Sequence, residues 1–179
     1  MRTTKPIRLA LACTLAAVTI TPAQAQVQEL VLHNFAPPSG DKPQARVTLA
    51  PDGIYGTAVY GGAANFGVVY KLDTAFHYTV LHSFAGGADG FYPLAGVLRD
   101  SAGNLYGTTS YSGDTTDSGV VYKLNTAGDY TVLYNFTGGA DGGYPEAGVS
   151  RGSTGDLTGT TSLGGAYRSG VLFVLTGVE

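Results

Sequence analysis

Apolar and polar side chains alternate along short runs of this chain and do not recur at helical spacing. Along 130–136, Tyr130, Val132, Tyr134 and Phe136 fall on one side, and Thr131, Leu133 and Asn135 on the other. Both sides carry apolar groups, the pattern of a strand covered on both faces. Four such runs make one unit, at 94–100, 104–110, 119–124 and 130–136, with turn residues between them. Asp100-Ser101-Ala102-Gly103-Asn104 and Pro51-Asp52-Gly53 read as hairpin turns in which Gly supplies positive φ. No stretch shows convincing 3.6-residue periodicity.

The unit recurs. Leu32-His33-Asn34-Phe35 returns as Leu81-His82-Ser83-Phe84 and as Leu133-Tyr134-Asn135-Phe136. Ile54-Tyr55-Gly56-Thr57 returns as Leu105-Tyr106-Gly107-Thr108 and, degraded, as Leu157-Thr158-Gly159-Thr160. Gly67-Val68-Val69-Tyr70-Lys71-Leu72 returns at 119–124 and as Gly170-Val171-Leu172-Phe173-Val174-Leu175. A period of roughly 50 residues with four antiparallel strands is that of a propeller blade. The predicted fold is therefore all-β and propeller-like: three four-stranded repeats, 12 strands.

The phase of the repeat predicts how its ends meet. The run 27–35 has the character of a fourth strand, and 170–176 that of a third. Pairing 27–35 with 170–176 would close the ring and remove two exposed edges. Three blades fall below the usual four to eight. The alternatives are a compact three-blade ring, a homodimer that exchanges N-terminal strands to make six blades, and a remnant of a longer gene.

Composition refines this picture. Gly is 27 of 179 residues, mostly repeat punctuation, and charged residues are only 13%. Arg2, Lys5 and Arg8 precede an apolar run from Leu9 to Ile20, then Thr21-Pro22-Ala23-Gln24-Ala25. That is a secretory signal with cleavage before Gln26, too short for a membrane span. The expected domains are a signal peptide at 1–25 and a three-repeat domain at 26–179. A mature chain would hold seven Lys and Arg against 13 Asp and Glu, a formal charge of −6 that disfavours nucleic acid. It would also lose Cys13, the single Cys, and with it any disulfide or thiolate chemistry.

The signature Asp-Gly-Ile-Tyr-Gly-Thr, then Gly-Val-Val-Tyr-Lys-Leu, then Tyr-Thr-Val-Leu-His-Ser-Phe-Ala-Gly-Gly-Ala-Asp-Gly resembles the GloVer repeat of exported bacterial "choice-of-anchor" tandem-repeat proteins. The likeness runs from about Leu30 to Leu175. It implies a surface or secreted, propeller-like protein without established enzymatic activity. Members often carry a C-terminal sorting helix; the sequence stops at Glu179, so release is expected over anchoring.

Candidate chemistry has to be separated from repeat maintenance. His33 and His82 share a position whose third occupant is Tyr134, which favours packing over a metal site. Asp89 and Asp141 sit in Gly-rich turns; they are the candidates for Ca²⁺, the one cofactor considered, against the commoner role of capping a turn. Asp114 and Asp117 lie in a loop that departs from the repeat, and Glu146 replaces the Leu found at Leu94. With Tyr111 and Tyr144 they form the candidate ligand-binding set, Tyr rings being able to stack sugars or dock a protein. There is no Ser-centred elbow, no HExxH and no phosphate loop, so no catalytic residue is assigned. The expected function is a secreted or periplasmic, non-enzymatic repeat protein presenting a rigid β surface to a protein or glycan partner. The alternative is a carbohydrate-binding or carbohydrate-active propeller.

Overall fold

The glycine of the Gly-Thr motif explains the centre of each sheet. In a computed structural model, which describes residues 28–112 and 116–178, the motif glycine lies opposite an aromatic residue on the neighbouring strand. Gly56 pairs with Tyr70, Gly107 with Tyr122 and Gly159 with Phe173. A Cβ at these glycines would fall 2.5, 2.6 and 2.5 Å from the ring Cζ atom of the partner. The missing side chain lets the ring lie flat across the strand, so an otherwise weak strand glycine gains a packed neighbour.

The first sheet holds β1 (Thr48–Ala50), β2 (Gly53–Ala58), β3 (Val68–Asp73) and β4 (Tyr78–Ser83) as an antiparallel meander. The second repeats it with β5 (Leu98–Arg99), β6 (Leu105–Thr109), β7 (Val120–Leu124) and β8 (Tyr130–Asn135). The third has β9 (Ser150–Arg151), β10 (Leu157–Thr160) and β11 (Leu172–Leu175). The all-β class and the repeat are as the sequence predicts; the described residues give 11 strands rather than 12. The first run of each unit is shorter than expected. Ala95 and Ala147 lie outside the ladders because their carbonyls accept hydrogen bonds from Thr57 and Thr108 of the preceding repeat, at 2.9 and 3.1 Å.

Sheets pack face to face in sequence order. Tyr55 and Val69 of the first sheet, with Phe84 just past β4, form one buried cluster with Val97, Leu105, Tyr122 and Leu124. Tyr106, Val121 and Phe136 form the next with Val149 and Leu157. Each junction is led by a Phe at the end of a fourth strand, which meets the aromatic on the third strand of the following sheet. Phe84 lies 5.4 Å from Tyr122, and Phe136 lies 5.1 Å from Phe173, both edge-on. Burying such a ring contributes about 1.5–3 kcal/mol.

The predicted pairing of 27–35 with 170–176 is not formed. Residue 27 lies outside the described residues, 28–35 carry no strand, and β11 is bonded only to β10. Phe35 lies 5.1 Å from Tyr70 and His33 stacks on Tyr78 at 4.1 Å, so both sit on the first sheet as Phe84 and His82 sit on the second. What is missing is the neighbouring sheet: Leu172 of β11 and Val47 ahead of β1 are 73% and 40% exposed, so the third and first sheets do not meet within one copy. The predicted signal peptide, 1–25, also lies outside the described residues. Among the described residues no helix is long and apolar enough to cross a membrane.

Candidate functional site

Two arrangements concentrate polar and aromatic chemistry. One lies inside the sheet junctions. Asp52, in the β1–β2 turn, accepts hydrogen bonds from the Tyr55 hydroxyl at 2.7 Å and from Lys71 Nζ at 2.9 Å. Arg99 reaches across from the second sheet, 3.5 Å from the same carboxylate and 5.4 Å from the Tyr55 ring centroid. The cleft beside them encloses about 350 Å³ and also touches Leu81 and Asn125. The next junction repeats this arrangement. Arg151 binds Asp100 at 3.1 Å and the Tyr106 hydroxyl at 2.7 Å, and its guanidinium lies 4.9 Å from that ring. A cation over a ring face, tied to a carboxylate, fixes two sheets at one point.

Electrostatics follow the contacts. The hydrogen bonds from Tyr55 and Lys71 hold the Asp52 carboxyl down to about 2. Burial works against ionisation of Asp100, yet hydrogen bonds from Asn104 and Tyr106 leave it lowered. These carboxylates are fixed anions within ion pairs, without the raised affinity for protons that a general acid needs.

The second arrangement is an aromatic rim. Tyr60, Tyr92, Tyr111 and Tyr144 form a continuous row across the three repeats. Ring centroids are 5.1 Å apart for Tyr60–Tyr92, 6.0 Å for Tyr92–Tyr111 and 5.2 Å for Tyr111–Tyr144. Phe66 and Phe91 fill in beside them. All six rings are half-buried, each with a surface still open. Tyr92 and Tyr144 have φ of 56° and 57°, a left-handed backbone unusual for a bulky residue. The cause is a bridge between repeats: Tyr92 N donates to Phe66 O at 2.9 Å while Tyr92 O accepts from Ser110 N. Tyr144 likewise donates to Ser118 O at 2.8 Å and accepts from Ser162 N. The bridge sets the backbone, and the backbone turns each ring toward the rim.

Of the predicted set, Tyr111 and Tyr144 come together. Asp117 is exposed, at φ 49°, next to the Ser118 carbonyl that Tyr144 binds. Glu146 is exposed two residues past Tyr144. Asp114 lies outside the described residues. Asp89 and Asp141 each close their own turn. Asp89 accepts from Ala85 N at 2.7 Å and meets His82 Nε2 at 3.1 Å; Asp141 accepts from Thr137 N at 2.9 Å and the Tyr134 hydroxyl at 3.0 Å. Among the described residues no three His, Cys, Asp or Glu side chains gather as a metal would require. The sequence argument missed Arg99 and Arg151, because the equivalent position in the first repeat is Leu49 and shows no charge to compare.

The model of the Gloeobacter/Verrucomicrobia repeat matches residues 16–178. The chain belongs to the Gloeobacter/Verrucomicrobia repeat family. In this Gloeobacter/Verrucomicrobia repeat protein, the motifs that recur are those that build junctions: the Gly–aromatic pairs, the Thr hydroxyls and the terminal Phe. No curated protein and no solved structure matches the chain.

Proposed function

We propose that this is an exported, non-enzymatic scaffold of consecutive propeller blades whose aromatic rim binds a partner. The observation that carries the proposal is the contact row Tyr60–Tyr92–Tyr111–Tyr144. It crosses all three repeats and is anchored by backbone bridges rather than by flexible loops, so little ordering entropy is lost on binding. The recurring charged groups are taken up in sheet junctions, which supports a binding role over a catalytic one. Export rests on the signal pattern at 1–25, and the destination proposed is extracellular or periplasmic. A glycan partner is the second reading. The rings meet edge to face, at 84° and 83°, so one half-open ring of each touching pair can offer its face to a sugar, with Asp117 and Glu146 nearby as acceptors for sugar hydroxyls.

The test is an array carrying oligosaccharides on one half and peptides on the other, probed with the full chain. Binding to one class is expected, weakened about tenfold or more by Tyr111→Ala with Tyr144→Asn. Asn is chosen at 144 because it tolerates the left-handed backbone. Binding that survives both substitutions, or none on either half, overturns the rim assignment. Turnover of any arrayed sugar overturns the non-enzymatic reading.

A further inference from the structure

The two junctions inside the chain define what a third would look like, and each half of it is already present and uncovered. On the outgoing face of a sheet, Val69 and Val121 are fully buried by the sheet that follows, and Leu172 holds their register position on β11. Leu172 is 73% exposed. On the incoming face, Val97 and Val149 are 4% and 7% exposed, whereas their counterpart Val47 is 40% exposed. Thr57 and Thr108 donate to the carbonyls of Ala95 and Ala147; Thr160 stands at the same position, exposed, and Ala45 is the matching residue of the first repeat.

The charged positions have changed together on both halves. Within the chain, Arg99 and Arg151 face a Tyr and a Lys of the preceding sheet: Tyr55 with Lys71, and Tyr106 with Lys123. On the uncovered incoming face the Arg position is Leu49, 75% exposed; on the uncovered outgoing face the Tyr and Lys positions are Thr158 and Val174, the latter 56% exposed. The clamp has lost its charges on both sides at once, Arg to Leu49 and Lys to Val174, which is what a matched pair of surfaces requires. Single exposed apolar residues need no explanation, but Leu172 and Val174 on one face and Val47 and Leu49 on the other, all at junction positions, do.

We propose that β11 and the outer face of the third sheet dock onto the first sheet of a second copy of this chain, and that two copies close head to tail. The second copy's residues 31–34 lie along β11 as its fourth strand, with His33 opposite Leu172 and Val31 opposite Phe173. That is the register His82 and Val80 keep against Val69 and Tyr70. Val47 and Leu49 of the second copy cover Leu172 and Val174 of the first, and the Thr160 hydroxyl donates to Ala45 O. Phe35 and His33 are already seated on the first sheet as the corresponding Phe84 and His82 are on the second, so the arriving strand is held in advance. Arg46 replaces Gly96 and Gly148 at this junction. A Cβ would lie 2.2 Å from Arg46 O at Gly96 and 3.2 Å from Gly96 O at Gly148, so the junction between copies has to stand wider at Arg46 than the two inside the chain. Two copies give six sheets, within the range propellers adopt, and each heterologous contact is used once per copy so that neither end of the array stays open. The ring count rests on the blade reading above; the junction itself does not.

Light scattering on the full chain across a concentration series reads the outcome. Twice the chain mass is expected. Leu172→Asp and Val174→Asp, both at exposed positions and therefore compatible with folding, should each weaken association about a hundredfold or more. Val174→Asp combined with Leu49→Arg places an ion pair between the two clamp positions and should recover the dimer, with circular dichroism unchanged throughout. A monomer at every concentration, a dimer indifferent to residues 172 and 174, a double variant that stays monomeric, or a species larger than a dimer overturns the proposal. The array result is independent of this mass, so either proposal can fail alone.

Discussion

Gly107 shows how one absent side chain sets a sheet. Its neighbour Tyr122 is fully buried, with its ring pressed across the glycine. Replacing a strand Gly by Ala normally helps, because Gly loses more chain entropy on folding. Here the added Cβ meets the Tyr122 ring, so the sign reverses. Gly107→Ala should lower stability by about 2 kcal/mol in urea unfolding; a gain would mean that the ring is not held there. Asp52 gives a second prediction at this scale. Its folded value, about 2, is below the ordinary 3.8, so the stability it supplies is complete above about pH 4 and disappears as pH falls through about 2. The carboxylate is nearly half exposed, so solvent screens the effect. Asp52→Asn should flatten the loss of unfolding midpoint between pH 4 and pH 2, leaving a residue from Asp100 and Asp141, which are also lowered. An unchanged acid limb would remove Asp52 from the account.

At the scale of elements, the runs at 104–110, 119–124 and 130–136 correspond closely to β6, β7 and β8, because alternation with apolar groups on both sides specifies a covered strand. The run 94–100 reduces to Leu98–Arg99, since its first half carries the carbonyl that receives a Thr from the previous sheet. That acceptor role leaves no trace in apolar periodicity. The rim was half legible: Tyr111 and Tyr144 could be picked out as turn aromatics, but the left-handed backbone at Tyr144 depends on Ser118 and Ser162, 26 and 18 residues away. Tyr144→Asn should therefore keep the melting temperature within a few degrees while removing the ring. Asn accepts this backbone, and the edge-on contact with Tyr111 is lost. A large drop would show the ring itself to be part of the core.

For the whole chain, the repeat was readable and its closure was not. Complementary phases at 27–35 and 170–176 predict that two ends match, without saying whether they match within one copy; Leu172 and Val47, 73% and 40% exposed, show that the third and first sheets do not meet within one copy. The junction Arg residues were hidden for a related reason, since the first repeat carries Leu49 where no preceding sheet of its own chain stands. The central proposal is that the recurring charges join sheets instead of doing chemistry. A double-mutant cycle on Arg151→Leu and Tyr106→Phe, read by urea unfolding of the full chain, tests it most directly. Both side chains are largely buried, and Arg151 Nη1 lies 2.7 Å from the Tyr106 hydroxyl. The account predicts a coupling of about 1 kcal/mol; additive losses, with coupling under roughly 0.3 kcal/mol, would contradict it.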